Sequence, residues 1–197
     1  MYLARIVLAL AAILACVSLA QTQGLKTEYD KFEDVTTANT DNIRIKKLER
    51  NERKDGKLVL VHPEMPFWEV SMMAMYKFKG QVKPATPGPF VLGFVTKSDE
   101  WVFKGDADLY AIVDGERLKV ARMSRGGEVK RFLNTVDVQE TLISYIPAAT
   151  FLKIANAKKV EMRLGKFEFE LTEDQLKALR GLAEYATSNK SVSSSQQ

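Results

Sequence analysis

The chain has 197 residues, 46% of them hydrophobic and 27% charged, with a formal net charge of +4, one cysteine and one histidine. This is the composition of one ordinary globular domain. A lone cysteine cannot close an internal disulfide, a lone histidine cannot build a multi-histidine zinc site, and the small positive excess argues against a dedicated nucleic-acid binder.

The first twenty residues hold two overlapping export signals. Arg5 precedes an unbroken apolar run from Ile6 to Val17, followed by Ser18-Leu19-Ala20 and the polar Gln21-Thr22-Gln23. A basic start, an apolar middle and small residues before the cut describe a secretory leader, residues 1–20, cleaved after Ala20. The run is shorter than the roughly 20 residues of a membrane span. Ile13-Leu14-Ala15-Cys16 also has the outline of a lipobox, in which the cysteine is acylated. Ile13, the bulky Leu14 and Val17 depart from that pattern, whereas Ser18-Leu19-Ala20 satisfies the small-residue rule, so cleavage after Ala20 is preferred. The mature chain is then cysteine-free, carries +3 once Arg5 is lost, and depends on core packing for stability. The expected location is periplasmic or extracellular, with membrane attachment only if Cys16 is lipidated.

A folded domain is expected over 25–187. Val35-Thr36-Thr37 has strand character, closed by Asp41-Asn42. The stretch from Arg44 to Lys57 holds seven Lys or Arg against Glu49, Glu52 and Asp55, and reads as a solvated helix or loop. Its Lys46, Lys47, Arg50 and Arg53 form a candidate salt-sensitive patch for anionic head groups or acidic polymers. Asp55-Gly56 signals a turn before Leu58 to Val61. From Phe67 to Lys79 the pattern alternates. Trp68, Val70, Met72, Ala74, Tyr76 and Phe78 share one face, while Met73 and Met75 are apolar exceptions on the other, implying partial cover there. Pro84, Pro87 and Pro89 exclude a central strand or helix from the next stretch. Strand composition resumes at Phe90 to Thr96 and Trp101 to Phe103, split by a polar turn from Lys97 to Glu100.

Two hairpins follow. Asp114-Gly115 suits a type I′ turn, setting Leu109 opposite Val120 and Ala111 opposite Leu118. Gly165-Lys166 suits a type II′ turn, setting Leu164 opposite Phe167, Met162 opposite Phe169 and Val160 opposite Leu171. The six apolar partners share one face, so a one-residue slip would expose them all. Pro147 opens a helix with Ala148, Phe151, Leu152 and Ala155 on one stripe. Thr172 and Gln175 form a capping box for a second helix, buried through Leu176, Leu179, Leu182, Ala183 and Ala186. Residues 188–197 are a polar tail expected to be disordered. Strands first and helices late, with no βαβ alternation, predict an α+β fold: a largely antiparallel sheet with two C-terminal helices packed on it, in a single domain.

The segments "YDKFEDVTT" and "FLKIANAKKVEMRLGKFEFELTEDQLKALRGLA" resemble segments recurring in a family of exported bacterial proteins of uncharacterised role. The likeness covers about a third of the chain. It implies export and a shared fold, and brings no activity, cofactor or catalytic residue.

No catalytic constellation can be assembled from the sequence, and no cofactor is expected. His62 sits before Pro63 without a G-x-S-x-G elbow to partner it. Asp106, Asp108 and Asp114 are clustered, yet Tyr110 and Ala111 occupy the positions where a calcium loop needs an oxygen ligand and a glycine. Gly126-Gly127, within Ser124 to Lys130, belongs to no phosphate-binding pattern and reads as a hairpin or loop. Met65, Met72 and Met73 with His62 are soft ligands that would suit Cu(I), but strand alternation turns Met72 away from Met73. The remaining candidates are binding surfaces: Trp68, Tyr76, Phe78, Phe90 and Trp101 as an aromatic groove for a sugar or peptide, and the stretch from Pro84 to Pro89, with Pro84 and Pro87, as a rigid edge. These point to a non-catalytic role toward an envelope protein or polymer. A hydrolase whose carboxylates meet only in the fold is the alternative.

Overall fold

The computed structural model describes residues 24–48, 67–132 and 135–188, together with two short strands between 52 and 59. In chain order the elements are β1 (Leu25–Asp30), β2 (Val35–Thr40), β3 (Ile43–Lys47), β4 (Glu52–Lys54), β5 (Lys57–Val59), β6 (Glu69–Lys79), β7 (Phe90–Ser98), β8 (Ala107–Val113), β9 (Glu116–Phe132), β10 (Thr135–Ile146), α1 (Ala148–Ala155), β11 (Val160–Leu164), β12 (Phe167–Glu170) and α2 (Glu173–Thr187). The fold is therefore mostly antiparallel sheet with two helices. One sheet runs β1-β2-β6-β7-β10-β9-β8-β11-β12, with β3 also paired to β6, while β4 and β5 pair separately. Of the tail expected to be disordered, 188–197, Ser188 is ordered, its amide donating to the Glu184 carbonyl, while 189–197 and the leader lie outside the described residues.

The alternation along β6 sorts its side chains as the sequence implies. Val70, Met72, Ala74, Tyr76 and Phe78 are buried on the inner face. Met73 and Met75 are half-buried on the outer face, in register with Gly93 and Val91 of β7 and, across them, with Ile143 and Tyr145 of β10. Val91 is buried and Met73 and Met75 are half-buried, while Tyr145 is 71% exposed, so this outer row is partly covered, as the sequence implies, and opens to solvent toward β10.

Both turn assignments hold. Asp114 and Gly115 have φ of 49° and 90°, as a type I′ turn needs, and Gly165 has φ of 60°. Ala111 faces Leu118, but an irregularity between Leu109 and Tyr110 moves Leu109 opposite Ala121 instead of Val120. In the second hairpin Leu164 faces Phe167 and Met162 faces Phe169, as read, and the Leu171 amide donates to the Val160 carbonyl.

Three readings are corrected. The basic run is neither helix nor loop where described: it supplies β3, β4 and β5. Ser124 to Lys130 is not a hairpin but the middle of the 17-residue β9, held straight by pairing with β10 along its length. Trp101 to Phe103 is not a strand but part of the connection after β7, which itself runs on through Lys97 and Ser98, where a turn was expected, because β10 pairs with it that far.

Pro147 caps α1 from outside, with extended ψ of 144°, and Phe151, Ile154 and Ala155 are buried. Phe151 stacks on Phe90 of β7 at 4.0 Å between ring centroids. Helix α2 has its capping box: the Thr172 hydroxyl accepts from the Gln175 amide, and the Gln175 side-chain oxygen accepts from the Thr172 amide. The same Gln175 side chain donates to the Arg44 carbonyl at 2.7 Å, tying the start of α2 to β3. Its stripe, Leu176, Leu179, Leu182, Ala183 and Ala186, is buried with side chains of β2, β3 and β6 in one apolar cluster.

Candidate functional site

The chain gathers its unusual chemistry in the connection between β7 and β8, residues 99–106. Below it the inner face of the sheet turns polar. Thr96, Ser98 and Glu140 are all buried there, and Glu140 is wholly enclosed. A buried carboxylate is costly unless its oxygens are satisfied. Those of Glu140 accept from the Val102 amide at 2.7 Å, the Phe103 amide at 3.1 Å and the Arg125 Nε at 2.8 Å. One side chain of β10 thus fixes both the backbone of the connection and an arginine of β9.

Arg125 in turn lies over the Trp101 ring, 4.3 Å from its centroid. The ring also rests on Gly127: a Cβ there would lie 2.7 Å from Trp101 Cζ3 and 2.7 Å from the Gln139 carbonyl. Gly127 is required by this close approach, whereas Gly126 has open space beside it. Trp101 remains 44% exposed, beside a depression of about 530 Å³ that Lys104 and Arg125 also line.

The other side of the same connection borders a second depression, of about 700 Å³ and open to solvent. Phe67, Phe103, Leu164 and Phe167 lie beneath it, all buried. Phe103 packs on the β11–β12 turn, where a Cβ on Gly165 would meet its ring at 3.2 Å, and the Gly165 amide donates to the Asp108 carbonyl. Phe67 meets Phe167 edge-on at 4.9 Å. Four charges reach the rim: Lys104, Lys166, Asp106 and Asp108. Asp108 pairs with Lys119 at 2.9 Å, and Asp106 with Arg122 at 3.5 Å. The hydrogen bond from Lys119 holds the Asp108 carboxyl below the ordinary 3.8, against the opposing effect of burial, and the Asp108 carboxylate raises Lys119 above 10.5.

A third, open depression of about 760 Å³ spans β8, β9, β11 and β12. Its Tyr110 ring lies near two cations, Arg163 at 4.9 Å and Lys119 at 5.8 Å. Its charges alternate in sign, with Arg163 3.9 Å from Glu168.

The candidates read from sequence fall at two ends of the sheet. Trp68, half-buried with Lys97 5.7 Å from its ring, opens β6 at the end where Trp101 lies. Lys47, exposed on β3, is in register with Glu69 at that end, and Lys46 is exposed beside it at a register irregularity. Pro84 and Pro87 lie in the connection at the far end of β7, where Lys83 donates to the Tyr185 carbonyl and, at 2.9 Å, to the Ser188 hydroxyl. Burial lowers the Lys83 ammonium from its ordinary 10.5. That lysine closes the C-terminal end of α2 and binds the Pro-rich connection to it. Arg53 belongs to β4, while Arg50, His62 and Met65 lie outside the described residues. Met72 is fully buried in the core and Met73 faces outward over Gly93, so the two thioethers cannot converge on one ion. Among the described residues no group of three or more His, Cys, Asp or Glu is placed to hold a metal.

Sequence reasoning missed Glu140, Arg125 and Gly127. The residue signal was present only as a charged position within an otherwise strand-like run, Val136 to Ile146, and as a glycine pair within another. Compared with known protein families, curated proteins and solved structures, the chain matches none.

Proposed function

We propose that this is an exported protein of the cell envelope, a single α+β domain with both helices packed on its sheet, and that its role is non-catalytic binding through the 99–106 connection. The leader signature supports export. The observation that carries the binding reading is the presentation of Trp101. A half-exposed indole is held on a glycine by an arginine, which a fully buried glutamate positions together with the loop backbone. Such an aromatic face beside two cations suits a ring-bearing or acidic envelope component, because stacking and charge act together there. Ligand recognition of this kind needs a fixed surface rather than a nucleophile, and Glu140 has its oxygens committed to structural donors.

The test is a photo-crosslinking side chain placed at position 101 in the native host, with subcellular fractionation. A discrete crosslinked envelope partner, lost in a variant carrying Arg125→Ala as well, together with mature protein lacking residues 1–20 by intact mass, is the expected result. Absence of any discrete adduct at 101, with adducts at a control surface position equally frequent, overturns the binding assignment. Retention of Met1 in a cytosolic fraction overturns export.

A further inference from the structure

We propose that β1 is an interface strand, through which two copies of this chain join edge to edge, antiparallel, into one continuous sheet. β1 ends the strand order of the large sheet and pairs on one side alone, with β2, from Leu25↔Thr40 to Asp30↔Val35 without a shift. The Asp41 amide donates to the Gly24 carbonyl, which makes Gly24 and Asp41 a hydrogen-bonded pair. Such pairs alternate along an antiparallel ladder with pairs that exchange no bonds. Lys26, Glu28 and Asp30 therefore aim their backbone groups at β2. Leu25, Thr27 and Tyr29 aim theirs outward, three N–H and three C=O groups along the free edge. Leu25 is half-buried and the five residues after it are exposed, so the edge lies open. Sheets blunt an open edge with a proline, a bulge or a very short strand. β1 has six residues and neither proline nor bulge, and its charges are of both signs.

The residues of β1 select a second copy as the occupant. Only a register that opposes outward-aimed residues can form the new hydrogen bonds. The one centred on Thr27 uses all three: Thr27 faces Thr27, and Leu25 faces Tyr29 of the second copy. Between them Lys26 faces Glu28, twice across the axis. A threonine pair, an aliphatic–aromatic pair and opposite charges are each favourable across strands. The neighbouring registers are blocked by like charges. Moving the centre back to Lys26 sets lysine against lysine, and moving it on to Glu28 sets glutamate against glutamate and leaves Leu25 opposite Lys31, beyond the strand. Glu28 has no ion-pair partner among the described residues, and the Lys26–Asp41 pair, at 2.6 Å, is exposed and contributes little to hold Lys26 back. The centre on Thr27 is a two-fold axis, so the contact consumes the free β1 edge of both chains and assembly stops at two. Five paired residues make a small interface, and the dimer is weak and reversible. No residue of the 99–106 connection takes part, so the contact is independent of the binding reading.

The test is sedimentation equilibrium of the mature chain over a concentration series reaching the millimolar range, where a reversible monomer–dimer equilibrium is expected. Thr27→Pro removes the central outward N–H and leaves the ladder to β2 intact. It should keep the wild-type thermal transition and associate at least about tenfold more weakly. Lys26→Glu and Glu28→Lys each set like charges opposite one another twice across the axis, and each alone should weaken association about tenfold. An equimolar mixture of these two variants restores opposite charges at both contacts and should associate about as well as wild type. Where Thr27→Pro fails to melt cooperatively, the two charge variants decide, since they alter exposed side chains alone. A wild-type chain that stays monomeric throughout, or a dimer that folded Thr27→Pro leaves undiminished, overturns the proposal. So does a charge variant that associates like wild type, or a mixture no tighter than its two components.

Discussion

At the scale of single residues, adjacent glycines prove to have opposite duties. Gly127 faces inward beneath Trp101, and any Cβ there collides with a backbone oxygen that cannot move aside; Gly126 faces outward into open space. Gly127→Ala should cost about 1–3 kcal/mol through overpacking and displace Trp101, whereas Gly126→Ala should stay within about 0.5 kcal/mol of wild type. Urea unfolding, with indole emission followed in a Trp68→Phe background, distinguishes the two. Glu140→Ala should be harsher, about 3 kcal/mol, because it orphans two buried amides and an arginine together. The same measurement serves, and a loss below about 1 kcal/mol would show that the carboxylate is dispensable. None of this was legible in sequence. A strand residue's side-chain period says which face it takes, but nothing local says that a loop some 40 residues away will need its carboxylate.

At the scale of elements, much more could be read. The Thr172–Gln175 capping box, the α2 stripe and both hairpin turns were visible because each depends on residues close together in the chain. Failures came where pairing partners are distant. The charged run formed strands because β6 offered β3 an edge, and Ser124 to Lys130 stayed extended because β10 lies beside it. Met73 and Met75 were correctly marked as out of pattern, but their neighbours Val91, Ile143 and Tyr145 come from two other strands. The irregularity at Leu109 and Tyr110 is crossed by the Asp108–Lys119 pair, which fastens β8 to β9. Because Asp108 titrates lower in the fold and Lys119 higher, the pair stabilises the protein between those limits. Its contribution is present above the unfolded aspartate value and lost as pH falls through the depressed one; it is equally lost as pH rises through the raised lysine value. The stability difference between wild type and Asp108→Asn should therefore be level from about pH 5 to pH 9 and shrink toward both extremes. A difference that grew on acidification would contradict the pairing.

At the scale of the whole molecule, the sheet joins strands far apart in sequence, and its earliest strands share their buried side with the last helix. Ala38, Ile43 and Tyr76 lie in the same cluster as Leu176, Leu179 and Leu182. Deleting residues 173–197 should leave that side of β2, β3 and β6 uncovered and abolish cooperative unfolding, with dye binding to exposed apolar surface as the readout. A truncated chain that still melts in one sharp transition would show that the sheet is self-sufficient. Fold class was legible at this scale because strand-rich beginnings and helical endings admit few arrangements. The position of a binding surface was not, since it depends on which loops share an end of the sheet.

The tie between Lys83 and the final turn of α2 has a consequence for the order of events in the life of the molecule. An ammonium group in the first half of the chain waits for a carbonyl and a hydroxyl made about a hundred residues later, at Tyr185 and Ser188. Until those arrive, Lys83 lacks both of these acceptors. Synthesis must pass residue 188 before the clasp can shut, so the proline-bearing segment is tied to α2 only after the whole of that helix has been made.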